Sequence, residues 1–317
     1  MNLQKIFLNV IVGSSLVAFF CCSGSKQIAV TDNAKMANEV NYIPYYLKVY
    51  EADSLYLIGN YERSFEILDS LSKEYELLNP IVTKDLELYI KTAYLNGHYG
   101  VLKSAIKSLV SFWDYKSEYT EYDSLMNEAW KKANLNQEEI IRWEQTCKNG
   151  INKTLRDTLI IMTTNDQKYR KASGVDLVRD SIDMTHKNLL KYIFEKYGYP
   201  DYRMVGYPKA GEMTDIGIIY LHIFNQMSED EFNYFKTRLL KYIKEGKANP
   251  EYLANLVDRT AFTNEHATIY GTYGTHVSWG DKMVKFDTIE INKNRKSIGL
   301  PSIQYEEFKR NQYLYNQ

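Results

Sequence analysis

Cysteine is scarce in this chain, with three in 317 residues: Cys21 and Cys22 are adjacent, and only Cys147 lies further on. A single isolated thiol excludes a disulfide framework and a multi-cysteine metal site. Charge of one sign is lacking too. Lys plus Arg come to 39 against 40 Asp plus Glu, so nothing marks a basic nucleic-acid surface and no nucleic-acid partner is expected. Beyond residue 20 no apolar run approaches the roughly 20 residues that a membrane-spanning helix needs. The familiar catalytic signatures are missing as well. There is no His-Glu-x-x-His, no Gly-x-Ser-x-Gly elbow, and no glycine loop followed by the lysine of a phosphate-binding site. No cofactor and no metal are expected.

What is present begins at the N-terminus. Lys5 is a short positive region, and Ile6 to Phe20 is an apolar run of about 15 residues, the length of a signal-peptide core. Cys21, Cys22 and the polar stretch Ser23-Gly24-Ser25-Lys26 follow at once. That junction resembles the lipobox of bacterial lipoproteins, which implies acylation of Cys22, or of Cys21, after cleavage. The expected location is the cell envelope, with the chain lipid-anchored, facing the periplasm, and touching the membrane through its acyl chains. The organisation read from the sequence is a signal peptide over 1–22 and a polar tether over 23–41, followed by helical hairpins over 42–150 and a second helical domain over 151–317. The 28 tyrosines, with abundant Asn and Lys, fit A+T-rich codon usage and equally fit flat stacking surfaces for sugars.

Two stretches of the first half are alike. Tyr56-Leu57-Ile58-Gly59-Asn60-Tyr61 leads into Phe65, Ile67 and Leu68, and Tyr94-Leu95-Asn96-Gly97-His98-Tyr99 leads into Leu102, Ala105 and Ile106. Each reads as a helix end, a turn glycine, an aromatic and a second amphipathic helix. The pattern resembles tetratricopeptide-type hairpins, whose period is about 34. Generic antiparallel hairpins are the other reading. In the second half, Leu189, Leu190, Ile193 and Phe194 share a helical face that Gly198 and Pro200 end. Ser228 and Glu231 form a capping box before Phe232, and Gly246 closes that helix. Pro250 opens another, and Ser302 to Tyr313 returns to helix. Between these, the glycine-rich run from Ile269 to Thr275 and the alternation from Met283 to Ile291 predict a small late β element. The expected fold is mainly α.

Candidate site residues lie in the second half. Asp166 and Arg170 are i and i+4 on one helix face; they form either a structural ion pair or an anion clamp whose fork Asp166 holds. His222 sits in the apolar run from Ile216 to Phe224, as a core histidine or as a general acid/base with Asp258 or Asp183 orienting it. His186, His266 and His276 lack paired metal spacing. The Tyr270-Gly271-Thr272 loop is either a tight turn packed on Tyr270 or a wall whose backbone amides wrap a ligand.

Taken in order, Asp166-Gln167 and Arg170, Asp183, Tyr197-Gly198-Tyr199-Pro200, Val205-Gly206, His222, Tyr252-Leu253-Ala254, Asp258-Arg259, Tyr270-Gly271-Thr272, Arg295 and Gly299-Leu300 resemble the DUF6624 family, bacterial proteins of unknown function, over about residues 155–310. His186, Leu221 and Tyr273 depart from that family's usual Asn, polar residue and Gln. The resemblance groups Arg259 with the other site candidates and implies no activity. The expected function is non-catalytic binding or scaffolding at the envelope, with a protein partner on the hairpins. The alternative is a hydrolase-type enzyme using His222 with Asp258 or Asp183, and Arg170 as electrostatic clamp.

Overall fold

Glycine punctuates the first four helices of the fold. In the computed structural model, which describes residues 40–80, 83–170, 176–208, 212–214, 216–265, 267–273 and 287–315 (no side chain at 117 or 313–315), α1 (Ile43–Leu57) and α2 (Tyr61–Glu74) form one hairpin. A second follows from α3 (Asp85–Leu95) and α4 (Leu102–Trp113). Gly59 and Gly97 close the leading helices with φ of 82° and 76°. Such left-handed values carry a steric penalty for residues bearing a Cβ. The same backbone closure recurs at both turns: the amide of Asn60 bonds Leu55 O at 2.9 Å, and that of His98 bonds Ala93 O at 2.8 Å. A tyrosine pair spans each turn in the same positions, Tyr56 with Tyr61 at 5.4 Å and Tyr94 with Tyr99 at 6.0 Å. Ala52, Leu68, Ile90, Ala93, Leu102, Ile106 and Leu109 are sealed from solvent between these helices. At the first hairpin Ser64 Oγ donates to Ala52 O at 2.8 Å.

α5 (Ser124–Lys132) and α6 (Gln137–Gly150) complete the first half, the latter through an Asn136–Glu139 capping box. Then come the long α7 (Lys153–Arg170) and α8 (Asp176–Lys196), short α9 (Tyr202–Val205), α10 (Gly217–Ile223), α11 (Glu229–Lys244), α12 (Pro250–Glu265), α13 (Thr288–Ser297) and α14 (Ile303–Tyr315). The fold is mainly α. The Ser228–Glu231 capping box opens α11. The β element expected after Ile269 is not found among the described residues. Residues 269–273 are bends, and 288–291 belong to α13, because Asp287 accepts hydrogen bonds from Ile289 N and Glu290 N and caps a helix there. In its described part, residues 287–291, the run that suggested a strand is the cap and first turn of α13. Residues 283–286, His266, His276, Cys21, Cys22 and nearly all of the tether lie outside the described residues. No described helix is long and apolar enough to cross a membrane.

The described residues cluster as one compact unit, joined by specific bonds between the two halves. Tyr42 N donates to Lys244 O at 2.9 Å, Tyr46 Oη to Ala248 O at 3.3 Å and Asn79 Nδ2 to Tyr207 Oη at 3.3 Å. Asp53 of α1 accepts from Tyr305 and pairs with Lys309 at 2.9 Å, both on α14. Two hairpins are too few to bury their apolar faces by themselves. Here the C-terminal helices cover them.

Candidate functional site

Two helices meeting a third create the polar cluster. α7 ends with Asp166 and Arg170 one turn apart, α8 brings Asp183 and His186 one turn apart, and α10 carries His222 across from both. Arg170 Nη2 bonds Asp166 Oδ1 at 2.9 Å and also bonds Asp183. His222 Nδ1 lies 2.9 Å from each Asp166 oxygen, and Gln167 Nε2 donates to Asp166 Oδ2 at 2.7 Å. Burial pushes the Asp166 carboxyl up, but hydrogen bonds from His222 and Arg170 outweigh it and hold the group below the usual carboxylate range. An ionised carboxylate only accepts, so His222 Nδ1 carries the proton in this pairing and neutral His222 keeps Nε2 as an acceptor. Nε2 makes no hydrogen bond to a described residue. Lys187 anchors the 3-10 turn that follows α10 (Phe224–Gln226), donating to Gln226 O at 2.6 Å and pairing with Glu231 at 2.7 Å.

The sequence candidates therefore divide. Asp166, Arg170, Asp183 and His222 come together. Asp258 does not join them and is not the partner of His222. Its carboxylate, fully buried, accepts five hydrogen bonds from the following loop: Ile269 N at 2.7 Å, Tyr270 N at 2.8 Å, Thr272 N at 2.7 Å, and the hydroxyls of Thr268 and Thr272 at 2.9 Å each. Gly271 N bonds Thr268 Oγ1 at 3.0 Å. The amides of Tyr270, Gly271 and Thr272 are thus occupied, and they cannot wrap a ligand as one reading of the sequence had it; the tight-turn reading describes the loop. Arg295, sealed from solvent, closes it from the other side, donating to Tyr270 O at 2.9 Å and Pro301 O at 2.5 Å and pairing with Glu306. Arg170 binds both carboxylates through Nη2, as in the ion-pair reading of the sequence, and its Nε is buried without a hydrogen-bond partner.

Arg259 is different. Its guanidinium lies over the Phe224 ring at 4.6 Å and the Tyr273 ring at 5.4 Å. Its Nε is buried without a hydrogen-bond partner, and no ion pair to a described carboxylate forms. Burial lowers its pKa, the nearby Arg170 lowers it further, and Tyr273 and Asp183 partly offset this. His186 is also buried, with Nδ1 unpartnered, and burial pushes its pKa down. One potential ligand atom from each of Asp166, Asp183 and His186 lies within 4.8 Å of the others. Arg170 contacts both carboxylates, so it already supplies the positive charge that two acidic groups need.

An aromatic cavity lies elsewhere, where the first-half helices meet the start of α10, the α11–α12 turn and α14. Its volume is about 570 Å³ and its walls include Tyr46, Tyr50, Trp113, Tyr199, Tyr252 and Tyr305. Its charged lining groups are largely paired: Asp201 with Arg203, Lys247 with Glu245, Glu306 with Arg295 and Lys309 with Asp53. Sequence reasoning missed this cavity. Tyrosine abundance was its one signal, and composition carries no positions. Comparison with known proteins finds no matching family model, no matching curated protein and no matching solved structure.

Proposed function

We propose that the chain is a lipid-anchored envelope protein that binds a small neutral molecule with a flat apolar face, such as a sugar or an aromatic ring, in the aromatic cavity. The observation that carries this reading is the cavity itself. Its volume, about 570 Å³, falls within the roughly 300–1,000 Å³ of small-molecule sites, which are typically apolar with a few polar groups. The paired charges around it favour a ligand without net charge. Tyr50 makes no hydrogen bond through its hydroxyl to a described residue, and burial pushes that phenol well above its ordinary value, so it stays a neutral donor. In the same reading the first hairpins are tetratricopeptide-like, supported by the matching turns at Gly59 and Gly97. Exposed Ile58, Tyr61, Leu95 and Tyr99 at those turns would meet a protein partner. Membership of the DUF6624 family is part of the proposal and rests on the ordered residues that resemble it.

The test uses Nile red as a neutral flat probe on the full chain in detergent, with the empty detergent as the blank. Saturable one-to-one fluorescence is expected, lost in Ala248→Phe, which fills the cavity from a buried lining position, while the melting transition persists. Unsaturable binding, or binding that survives the filled cavity, overturns the reading.

A second reading, a hydrolase, is favoured by one contact, that of His222 Nδ1 with Asp166. A carboxylate holding one ring nitrogen while the other stays basic is how a general-base histidine is oriented. Turnover of a chromogenic ester or phosphate ester that is lost in His222→Ala but kept in Ala248→Phe would establish it.

A further inference from the structure

We infer that Arg259 and His222 form an oxyanion-binding site, separate from the aromatic cavity, that takes a carboxylate or phosphate group. The inference does not depend on the cavity reading.

The argument starts from neighbouring residues that face different ways. Asp258 turns to the loop and is saturated by five donors. Arg259, the next residue on α12, reaches the Phe224 and Tyr273 rings, at 4.6 and 5.4 Å. Rings over a guanidinium satisfy its faces and leave its edge, where the N–H donors point, for an acceptor in the plane. Among the described residues no acceptor takes that role, and Nε is buried with no partner at all. Buried or half-buried arginines are normally matched by a carboxylate. Asp183, the carboxylate that acts on Arg259, is already bound to Arg170, so among the described residues Arg259 pairs with no carboxylate.

The surroundings favour an anion over a metal cation. Asp166, Asp183 and His186 bring potential ligand atoms within 4.8 Å of one another, but Arg170 bridges the two carboxylates and Arg259 adds a second positive charge beside it. A divalent ion would have to displace the first and tolerate the second. An oxyanion instead relieves the repulsion between the two arginines. His222 belongs to the same charge cluster as Arg259: Asp166, which holds its Nδ1, is bound to Arg170, and Arg170 acts on the Arg259 charge. That leaves His222 Nε2 without a described partner, able to donate to an anion once protonated. The fork of Arg259 suits the paired oxygens of a carboxylate or phosphate.

The test titrates the full chain in detergent with sodium phosphate and, separately, with sodium acetate, against sodium chloride at matched ionic strength, and follows binding by calorimetry and by melting temperature. Wild type is expected to bind at least one of the two oxyanions saturably and to melt higher in its presence. The stronger of the two arms identifies the group as phosphate or carboxylate. Arg259→Gln should weaken binding at least tenfold, His222→Gln severalfold, and Ala248→Phe not at all. Should Arg259→Gln fail to fold, Arg259→Lys replaces it; that variant keeps the charge, loses the fork and should still weaken binding about tenfold. Absence of saturable binding in wild type, or equal affinity in a folded Arg259 variant, overturns the site. Loss of dye binding in Ala248→Phe with oxyanion binding intact separates this proposal from the cavity reading.

Discussion

The ring of Tyr252 stands where a side chain at position 217 would begin: a Cβ built on Gly217 would lie 2.4 Å from Tyr252 Cε1. Real Cβ atoms do not approach that closely, so α10 and α12 cross here because residue 217 is glycine. Tyr252 also walls the aromatic cavity. Gly217→Ala must therefore push that ring aside or separate the helices. Overpacking of this kind costs about 1–3 kcal/mol. Urea denaturation should show that loss together with weaker Nile red binding. An unchanged midpoint would mean that the α10–α12 crossing accommodates a Cβ at residue 217.

Arg170 and Arg259 should respond oppositely to truncation. Arg170→Ala orphans Asp166 and Asp183 in a largely buried network, and removing one partner of such a set costs about 3–5 kcal/mol. Arg259→Ala breaks no ion pair and forfeits two ring contacts, worth about 1 kcal/mol together. Paired urea melts check this. Equal losses would show that Arg259 has a partner in the folded protein.

Asp258→Ala should release the loop over residues 268–272. Five hydrogen bonds to one ionised, buried carboxylate disappear, and a loss of about 3–5 kcal/mol is expected. Hydrogen exchange reads the effect directly. The amides of Ile269, Tyr270 and Thr272 should lose protection in the variant while those of α2 keep theirs.

Asp85 makes the stability pH-dependent in an unusual direction. Burial pushes its carboxyl up to about 6, although the hydrogen bond from Tyr45 pulls it down. The unfolded chain titrates near the ordinary value of about 3.9. The folded protein therefore holds the proton more tightly. This group's contribution is complete below about pH 4 and lost as pH rises through about 6. Asp85→Asn removes the titration, and its amide oxygen can still accept from Tyr45. The variant should gain on wild type between about pH 4 and pH 6 and hold that gain above it, measured by urea midpoints. A constant gap would place the Asp85 pKa at its unfolded value.

Export has its own measurement. If Cys22, or Cys21, is acylated, labelled palmitate enters the wild-type chain, and the Cys21→Ser, Cys22→Ser double variant leaves the membrane fraction. Absence of label in wild type removes the lipoprotein reading.

The helices were legible because apolar spacing and caps act locally. Gly59, Gly97, Ser228 with Glu231 and Gly246 punctuate the chain as read from sequence, since each acts within a few residues of itself. The late strand failed for the same reason turned around: alternation over Met283 to Ile291 carries no trace of whether Asp287 will cap a helix. The residue types of the polar cluster were visible, and its pairings were not. Asp166 and His222 are 56 positions apart, and only the crossing of α7 and α10 decides that Asp166, and not Asp258, orients the imidazole. The cavity was invisible because its walls come from helices at both ends of the fold.

Asp53 on α1 waits for partners on α14, with 252 positions between it and Tyr305. Closing so long a span costs little at equilibrium, because the entropy grows only with the logarithm of length. The delay during synthesis is another matter. At about 5–20 residues per second, α1 emerges roughly ten to fifty seconds before α14 exists. Through that interval the side of α1 that α14 will cover, with Tyr50 against Tyr305, stands open to chaperones and to neighbouring nascent chains. The fold is finished from its last helix, and a ribosome stalled before Lys309 would leave its first helix unclosed.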